Sequence, residues 1–343
     1  MWHSGLAITL TALAAAVLLT TPAWADGMLT SRGEAVRVSD RRIAFDSGDD
    51  LLGPSVLRTA DGYRMWYTAV DRPPKDSPLI AACPWLAEET HIWEIRYATS
   101  GDGINWTPEC TVLQPGLYDG LRLTQVLMPC VIADDDGLKM WLTVRESVSK
   151  KYRVAQCSST DGIAWSDPQI ALELGTPGEA DDGATTSCSI LKENGIYRMW
   201  YGGYALTDRK MRTLYAESTD GATWERRGVC LDTGDEGSPD AQRAYRPHVR
   251  RIGDGYLMLY TGINDGTLRG PYVIMLATSD DGLSWERQGV LIDAGEPGTP
   301  DELRAYDPCL LPSDGGGYDL WYIGKAADGV RRICHAKVAI TAQ

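Results

Sequence analysis

The chain has 343 residues, with 33 Lys and Arg against 47 Asp and Glu, and a formal net charge of −14. That acidity excludes a nucleic-acid or anionic-membrane partner, since both call for a basic footprint. Hydrophobic residues at 43% and charged residues at 23% exclude a disordered chain, and 12 Trp, 16 Tyr and 36 Gly beside a single Phe (Phe45) favour packed sheets with tight turns.

Taken from the start, residues 1–25 read as a secretory signal. The apolar stretch Leu6 to Thr20 is followed by Pro22-Ala23-Trp24-Ala25, a small-residue cleavage site before Asp26. An uncleaved anchor is the alternative, but the apolar run is short for a bilayer. The expected mature protein is exported, either periplasmic or secreted, with residues 26–343 forming one domain. Its eight cysteines permit disulfides in such a compartment, although burial as small hydrophobes on strands explains them equally well. No CxxC pair supports a zinc or thioredoxin-like site.

From residue 53 onward one unit repeats. Its second strand reads GYRMWYTA (62–69), GLKMWLTV (137–144), IYRMWYGG (196–203), GYLMLYTG (255–262) and GYDLWYIG (317–324), each entered through an Asp-Gly, Asn-Gly or Gly-rich turn. A third strand then leads to a DGxxW turn ending in Trp106, Trp165, Trp224 or Trp285, which stand 59, 59 and 61 residues apart. The fifth copy keeps this strand, at Arg332 to Ala336, and loses the turn. A first strand precedes each MWY run, at Gly53-Pro54, Met128-Pro129, Thr186-Ser187, Arg246-Pro247 and Asp307-Pro308. A fourth strand follows the DGxxW turn.

Each unit is thus four antiparallel strands in about 60 residues. The consecutive apolar residues of the MWY runs mark strands covered on both faces. Five such sheets bury those faces when arranged radially. The prediction is an all-β, five-bladed β-propeller with four antiparallel strands per blade. The fifth unit lacks a fourth strand, and Arg41 to Phe45 would supply it and close the ring.

These MWY strands and S-x-DG-x-x-W turns resemble the five-bladed propellers of glycoside hydrolase families 43, 32 and 130, the arabinanase, levansucrase and invertase group, over nearly the whole mature chain. The S-x-DG-x-x-W segments also resemble the sialidase Asp box, with one residue fewer between Asp and Gly. The resemblance implies that Asp102, Asp161, Asp220 and Asp281 shape turns. It also implies a site on the axis, at the entrance where first strands begin, built from three carboxylates. Of the family's first-strand pattern only Asp307-Pro308 is present; Gly53, Met128, Thr186 and Arg246 stand at the positions taken as equivalent.

In a four-stranded meander the DG turns share one face, and the varied loops share the other, where function is expected. Glycoside hydrolysis needs two carboxyl groups across the bond. The candidates are Asp50 as base, Asp182 as second carboxylate, Asp307 as axial acid or orienter, and Glu146, just after the blade-2 MWL strand, as a general acid. The near-copies 237–246 and 298–307 bring Arg243, Arg246, Arg304, Tyr245 and Tyr306 towards the axis, where Arg and Asp can hold sugar hydroxyls or a carboxylate. They can equally form a salt-bridge network that closes the channel. Trp85 and Trp93, in or beside the long insertion from Asp71, can stack on a sugar or plug a small apolar cluster. His248 can bond a substrate, ligate an axial cation, or be a satisfied core histidine. No motif implies a cofactor or a metal, and a structural cation on the axis stays open.

The expected function is an exported glycoside hydrolase or related carbohydrate-active enzyme that binds an oligo- or polysaccharide at the central funnel. A non-catalytic glycan-binding propeller is one alternative. A non-hydrolytic reaction, an elimination or cyclisation with an anion held by the Arg-rich axis, is another.

Overall fold

The computed structural model describes residues 28–31, 34–71, 76–266 and 270–342. The expected signal, residues 1–25, lies outside them. Each repeat unit forms one antiparallel meander, a blade. Blade 1 comprises Asp50–Thr59, Gly62–Asp71, Ile92–Ser100 and Thr107–Leu113. Blade 2 comprises Leu121–Asp134, Gly137–Glu146, Tyr152–Ser159 and Gln169–Leu172. Blade 3 comprises Ala184–Glu193, Ile196–Tyr204, Met211–Ser218 and Glu225–Leu231. Blade 4 comprises Arg243–Ile252, Gly255–Ile263, Tyr272–Ser279 and Glu286–Ile292.

Blade 5 takes three strands from the end of the chain, Arg304–Pro312, Tyr318–Lys325 and Arg331–Ala342. Its fourth is Glu34–Phe45, paired antiparallel with the last of them. The closing strand is therefore longer than the Arg41–Phe45 segment predicted. The five first strands are neighbours in cyclic order, and that of blade 5 returns to that of blade 1. Single parallel bridges, Trp93–Gln125 and Met211–Arg243, tie blade 1 to blade 2 and blade 3 to blade 4.

The DGxxW turns lock neighbouring blades together. In each, the Ser hydroxyl bonds the Asp carboxylate and accepts the Gly N–H, and that carboxylate accepts two further backbone N–H groups. The Gly carbonyl then accepts two indole N–H groups. One is the turn's own Trp; the other is the MWY Trp of the preceding blade, as with Trp66 on Gly162, Trp141 on Gly221, Trp200 on Gly282 and Trp321 on Gly103. The two indoles meet edge to face, 6.1–6.4 Å apart. A Cβ on any of these glycines would lie 2.7–3.0 Å from that Trp ring, at φ of 76–81°. Blade 4 has Leu259 in the Trp position, and blade 5 has no DG turn for an indole to reach.

Every first strand carries a bulge where it meets the axis. The residue there has positive φ in all five blades: Gly53, Met128, Ser187, Arg246 and Asp307, at 43–56°. This corrects the predicted register of blade 3 by one residue. Ser187, not Thr186, is the counterpart of Asp307, because Thr186 pairs with Gly202 as Leu52 pairs with Thr68. Gly53 is required at its bulge, since a Cβ would come within 2.7 Å of Met128 Sδ. All eight cysteine thiols are free in this structure.

Candidate functional site

At the end of the ring where first strands begin, a cavity of about 330 Å³ opens between blades 5, 1 and 4. Among the described residues its single carboxylate is Asp50, at the start of the first strand of blade 1. Asp50 Oδ1 accepts the Arg331 backbone N–H at 3.0 Å and its Nε–H at 2.6 Å, and Oδ2 accepts from Arg331 Nη2. This bidentate clamp joins the first blade to the last. Burial works against the Arg331 charge and Asp50 more than restores it, so its pKa is raised.

Facing Asp50 are three more cations, Arg246, Arg304 and Lys325. Arg304 lies 4.1 Å over the Tyr272 ring, and Tyr272 meets Tyr306 edge to face at 5.3 Å. Burial, and then the nearby charges of Arg304 and Arg331, lower the Lys325 pKa. Trp93 forms a further wall, its ring 5.7 Å from the Arg331 guanidinium. Asp307 lies beneath, 5% exposed, accepting from Arg246 Nη1 at 2.5 Å and from the Gly53 N–H at 3.1 Å. Four cations and two carboxylates among the described residues therefore line or underlie this cavity, in a chain whose net charge is −14.

No protein-family model matches the sequence. An uncharacterised protein of Mycobacterium tuberculosis is 33% identical over 169 residues, 46% of this chain and 51% of that protein. A 1,2-beta-oligomannan phosphorylase of Thermoanaerobacter sp. is 30% identical over 121 residues, 34% of this chain and 40% of that enzyme. The chain spans about half the length of the M. tuberculosis relative. Among solved structures, a protein in an RGII complex aligns over 91% of this chain and 92% of its own length, with a TM-score of 0.68 and 17% identity. A family 117 glycoside hydrolase of Zobellia galactanivorans aligns over 88% and 90%, with a TM-score of 0.62 and 18% identity. A GH130 protein from a study of mannoside phosphorylases and of hydrolases for β-1,2 mannosidic linkages in Candida mannan aligns over 92% and 95%, with a TM-score of 0.60 and 16% identity. This chain has the fold of the propeller glycoside hydrolases.

On that propeller the predicted residues divide sharply. Asp50, Arg246, Arg304, Tyr306 and Trp93 line the funnel cavity, with Asp307 directly below. Asp182 and Glu146 are not part of its lining. Asp182 accepts the N–H groups of Gly178 and Leu206, which lower its pKa, and so caps turns. Glu146 accepts from Ser149 Oγ at 2.7 Å and pairs with Arg153 at 3.4 Å. Trp85 donates its indole N–H to the Leu123 carbonyl and packs beside Cys83, Leu86 and Ile92, the small apolar plug that was one of its two readings. Tyr245 is buried beside Arg246, and Arg243 points Nη1 at Met211 Sδ, 2.7 Å away. His248 lies deeper, in the axial channel.

The blade-joining acids have a separate structural use. Asp181, Asp240 and Asp301, each at most 1% exposed, accept from the MWY tyrosines Tyr201, Tyr260 and Tyr322 and from Arg226, Arg287 and Arg41. Lys325, Arg331 and Tyr272 were missed as site residues. Lys325 and Arg331 flank the loop between the second and third strands of blade 5, on the face already expected to carry function. The signal was a pair of cations around a short loop, read only as the fading end of a repeat. Among the described residues no group of three or more His, Cys, Asp or Glu is placed to hold a metal ion. No helix among them is long and apolar enough to cross a membrane.

Proposed function

We propose that this chain is an exported carbohydrate-active enzyme that cleaves a glycosidic bond in the funnel cavity, with an oxyanion bound beside that bond. The observation that carries this reading is the make-up of the cavity wall: one carboxylate, Asp50, beside four cations, Arg246, Arg304, Lys325 and Arg331. Hydrolysis uses two carboxyl groups, one for the leaving oxygen and one for water or the sugar. Here the second carboxyl, Asp307, is committed to Arg246 and Gly53. An oxyanion such as phosphate can itself attack the anomeric carbon, so that a single carboxyl, as acid, suffices.

Arg304 and Lys325 hold the oxyanion through charge-assisted hydrogen bonds, and Trp93 gives the sugar an apolar face. The Asp50–Arg331 clamp must loosen before Asp50 serves the leaving oxygen, and an oxyanion drawing Arg331 towards itself does this. The partial likeness to an oligomannan phosphorylase supports the reading. Export rests on the apolar stretch Leu6 to Thr20 and the Ala23-x-Ala25 site. A glycan-binding propeller is the second reading, favoured by the ion pairs that already occupy both Asp50 and Asp307.

The test incubates the purified protein with manno-oligosaccharides and a wider oligosaccharide panel, with and without inorganic phosphate. Phosphate-dependent release of a sugar phosphate is expected, reduced roughly 10²–10⁴-fold in Asp50→Asn, the usual range for a general acid. Release of free sugar without phosphate would make the chain a hydrolase. Saturable binding with no product would make it a recognition module.

A further inference from the structure

Below the funnel the five first strands enclose an axial channel of about 300 Å³. Its wall is built by repetition. Two residues beyond the Gly53, Met128, Arg246 and Asp307 bulges, and at Ser189 in blade 3, a side chain faces the next first strand. Ser55 Oγ accepts the Val131 N–H at 2.9 Å, Ser189 Oγ the Val249 N–H at 2.9 Å, and Cys309 Sγ the Val56 N–H at 3.4 Å. Two residues further along, the register aligns Leu57, Ile132, Leu191 and Leu311.

Blade 4 departs from the pattern at both levels. His248 stands in the place of the small residues, and Arg250 in the place of the aliphatic ones. Arg250 is surrounded by protein yet keeps its guanidinium open to the channel. Its Nε–H faces the Leu310 carbonyl at 2.8 Å and His248 Nε2 at 3.1 Å. Its two terminal amino groups have no hydrogen-bond or ion-pair partner among the described residues. The other charged groups lining the channel are already matched: Asp307 with Arg246, and Lys192 with Asp134 and Asp135. A His beside a guanidinium also argues against an axial cation here. A charge within protein and without a counter-charge is costly, and four donor hydrogens face the channel space.

We propose that the axial channel is a binding site for one small inorganic anion, chloride- to sulfate-sized, held by the terminal amino groups of Arg250. Arg250 lies roughly 10–13 Å along the strand from Arg246, so this site is separate from the funnel. The anion completes the pairing of blade 4 within the ring and stabilises the closed propeller, because it binds the folded chain and not the unfolded one. Burial, and then the charge of Arg250, push the His248 pKa down to about 3, so the imidazole contributes no competing charge at neutral pH.

The experiment measures thermal unfolding of the full chain at constant ionic strength, replacing sodium gluconate stepwise with chloride or bromide, and separately with sulfate or phosphate, which the funnel can also bind. A saturable rise of several degrees with at least one small anion is expected. Arg250→Met should lose that response, and Arg58→Met, outside both the channel and the funnel, should keep it. An equal response in Arg250→Met would place the effect outside the channel, on the surface or in the funnel, and overturn the proposal. A flat response in the wild type would overturn it as well, and an ultraviolet thiolate band lost in Cys130→Ser would then identify Cys130 as the counter-charge. Should Arg250→Met fail to fold, bromide-soaked crystals of the wild type decide: an anomalous peak beside the Arg250 guanidinium supports the site, and its absence at saturating bromide rejects it.

Discussion

The two faces of this propeller are built on opposite rules. On the turn face, four DGxxW turns repeat one set of bonds, each clasped by the Trp of the preceding blade. Where one partner is missing, its counterpart is missing too, as with Leu259 in blade 4 and the absent turn in blade 5. On the funnel face equivalent positions carry different groups: Asp50, Arg243 and Arg304 share one place in the first strands of blades 1, 4 and 5, and the five bulges carry Gly53, Met128, Ser187, Arg246 and Asp307. Repetition marks groups that hold the ring together, and departure from it marks groups free to act on something else. The axial channel shows both rules at once, with aliphatic residues in blades 1, 2, 3 and 5 and Arg250 in blade 4.

This contrast separates substitutions that unfold the protein from those that disarm it. Trp200→Ala removes a fully buried indole and its bond to Gly282, and should cost about 3–5 kcal/mol of stability. Chemical denaturation should show that loss while the surviving folded fraction keeps its ligand affinity. Lys325→Met should do the reverse, weakening oxyanion binding about 10–100-fold, the range for a charge-assisted contact, with little change in unfolding midpoint. In the wild type that binding should fade on raising the pH sooner than an ordinary lysine would dictate, because the Lys325 pKa is lowered and its charge is lost earlier. Titration by calorimetry checks both statements.

The smallest effect belongs to one turn. Asp220→Asn weakens the bonds to the Ala222 and Thr223 N–H groups and should cost about 1 kcal/mol, the scale of a lost cap. Those backbone N–H groups hold the Asp220 pKa down to about 2, below the ~3.9 of an unfolded aspartate. Its contribution is therefore complete above about pH 4 and lost as the pH falls towards 2. The variant should lack that part of the acid limb, read from unfolding midpoints between pH 5 and 2.

The same contrast explains what could be read before the fold was known. A group used in every blade recurs at a fixed spacing, so the strands, the structural role of Asp102 and its counterparts, and the closing role of Arg41 to Phe45 were all legible. The slip at Ser187 arose because blade 3 places Cys188 where the other four blades have proline, so no Pro marks its bulge. Asp50, Arg246 and Asp307 were expected near the axial mouth of the first strands, and Asp50 and Arg246 line the cavity there with Asp307 beneath. Lys325, Arg331 and Arg250 were not, since a site residue used once has no second copy to reveal it. Asp182 shows the converse, an acid in the same kind of loop that lies outside the cavity lining and accepts two backbone N–H groups.

One consequence follows from the pairing of Glu34–Phe45 with Arg331–Ala342. Blades 2, 3 and 4 can form from neighbouring sequence as the chain emerges, but this sheet must bring together segments almost 300 residues apart and is expected to form late. The Asp50–Arg331 clamp spans 281 positions and the Arg41–Asp301 contact spans 260. The funnel's carboxylate is therefore oriented only by the last event of folding. A chain caught before that event has most of its sheets and an unfinished site, so secondary structure should return during refolding before ligand binding does.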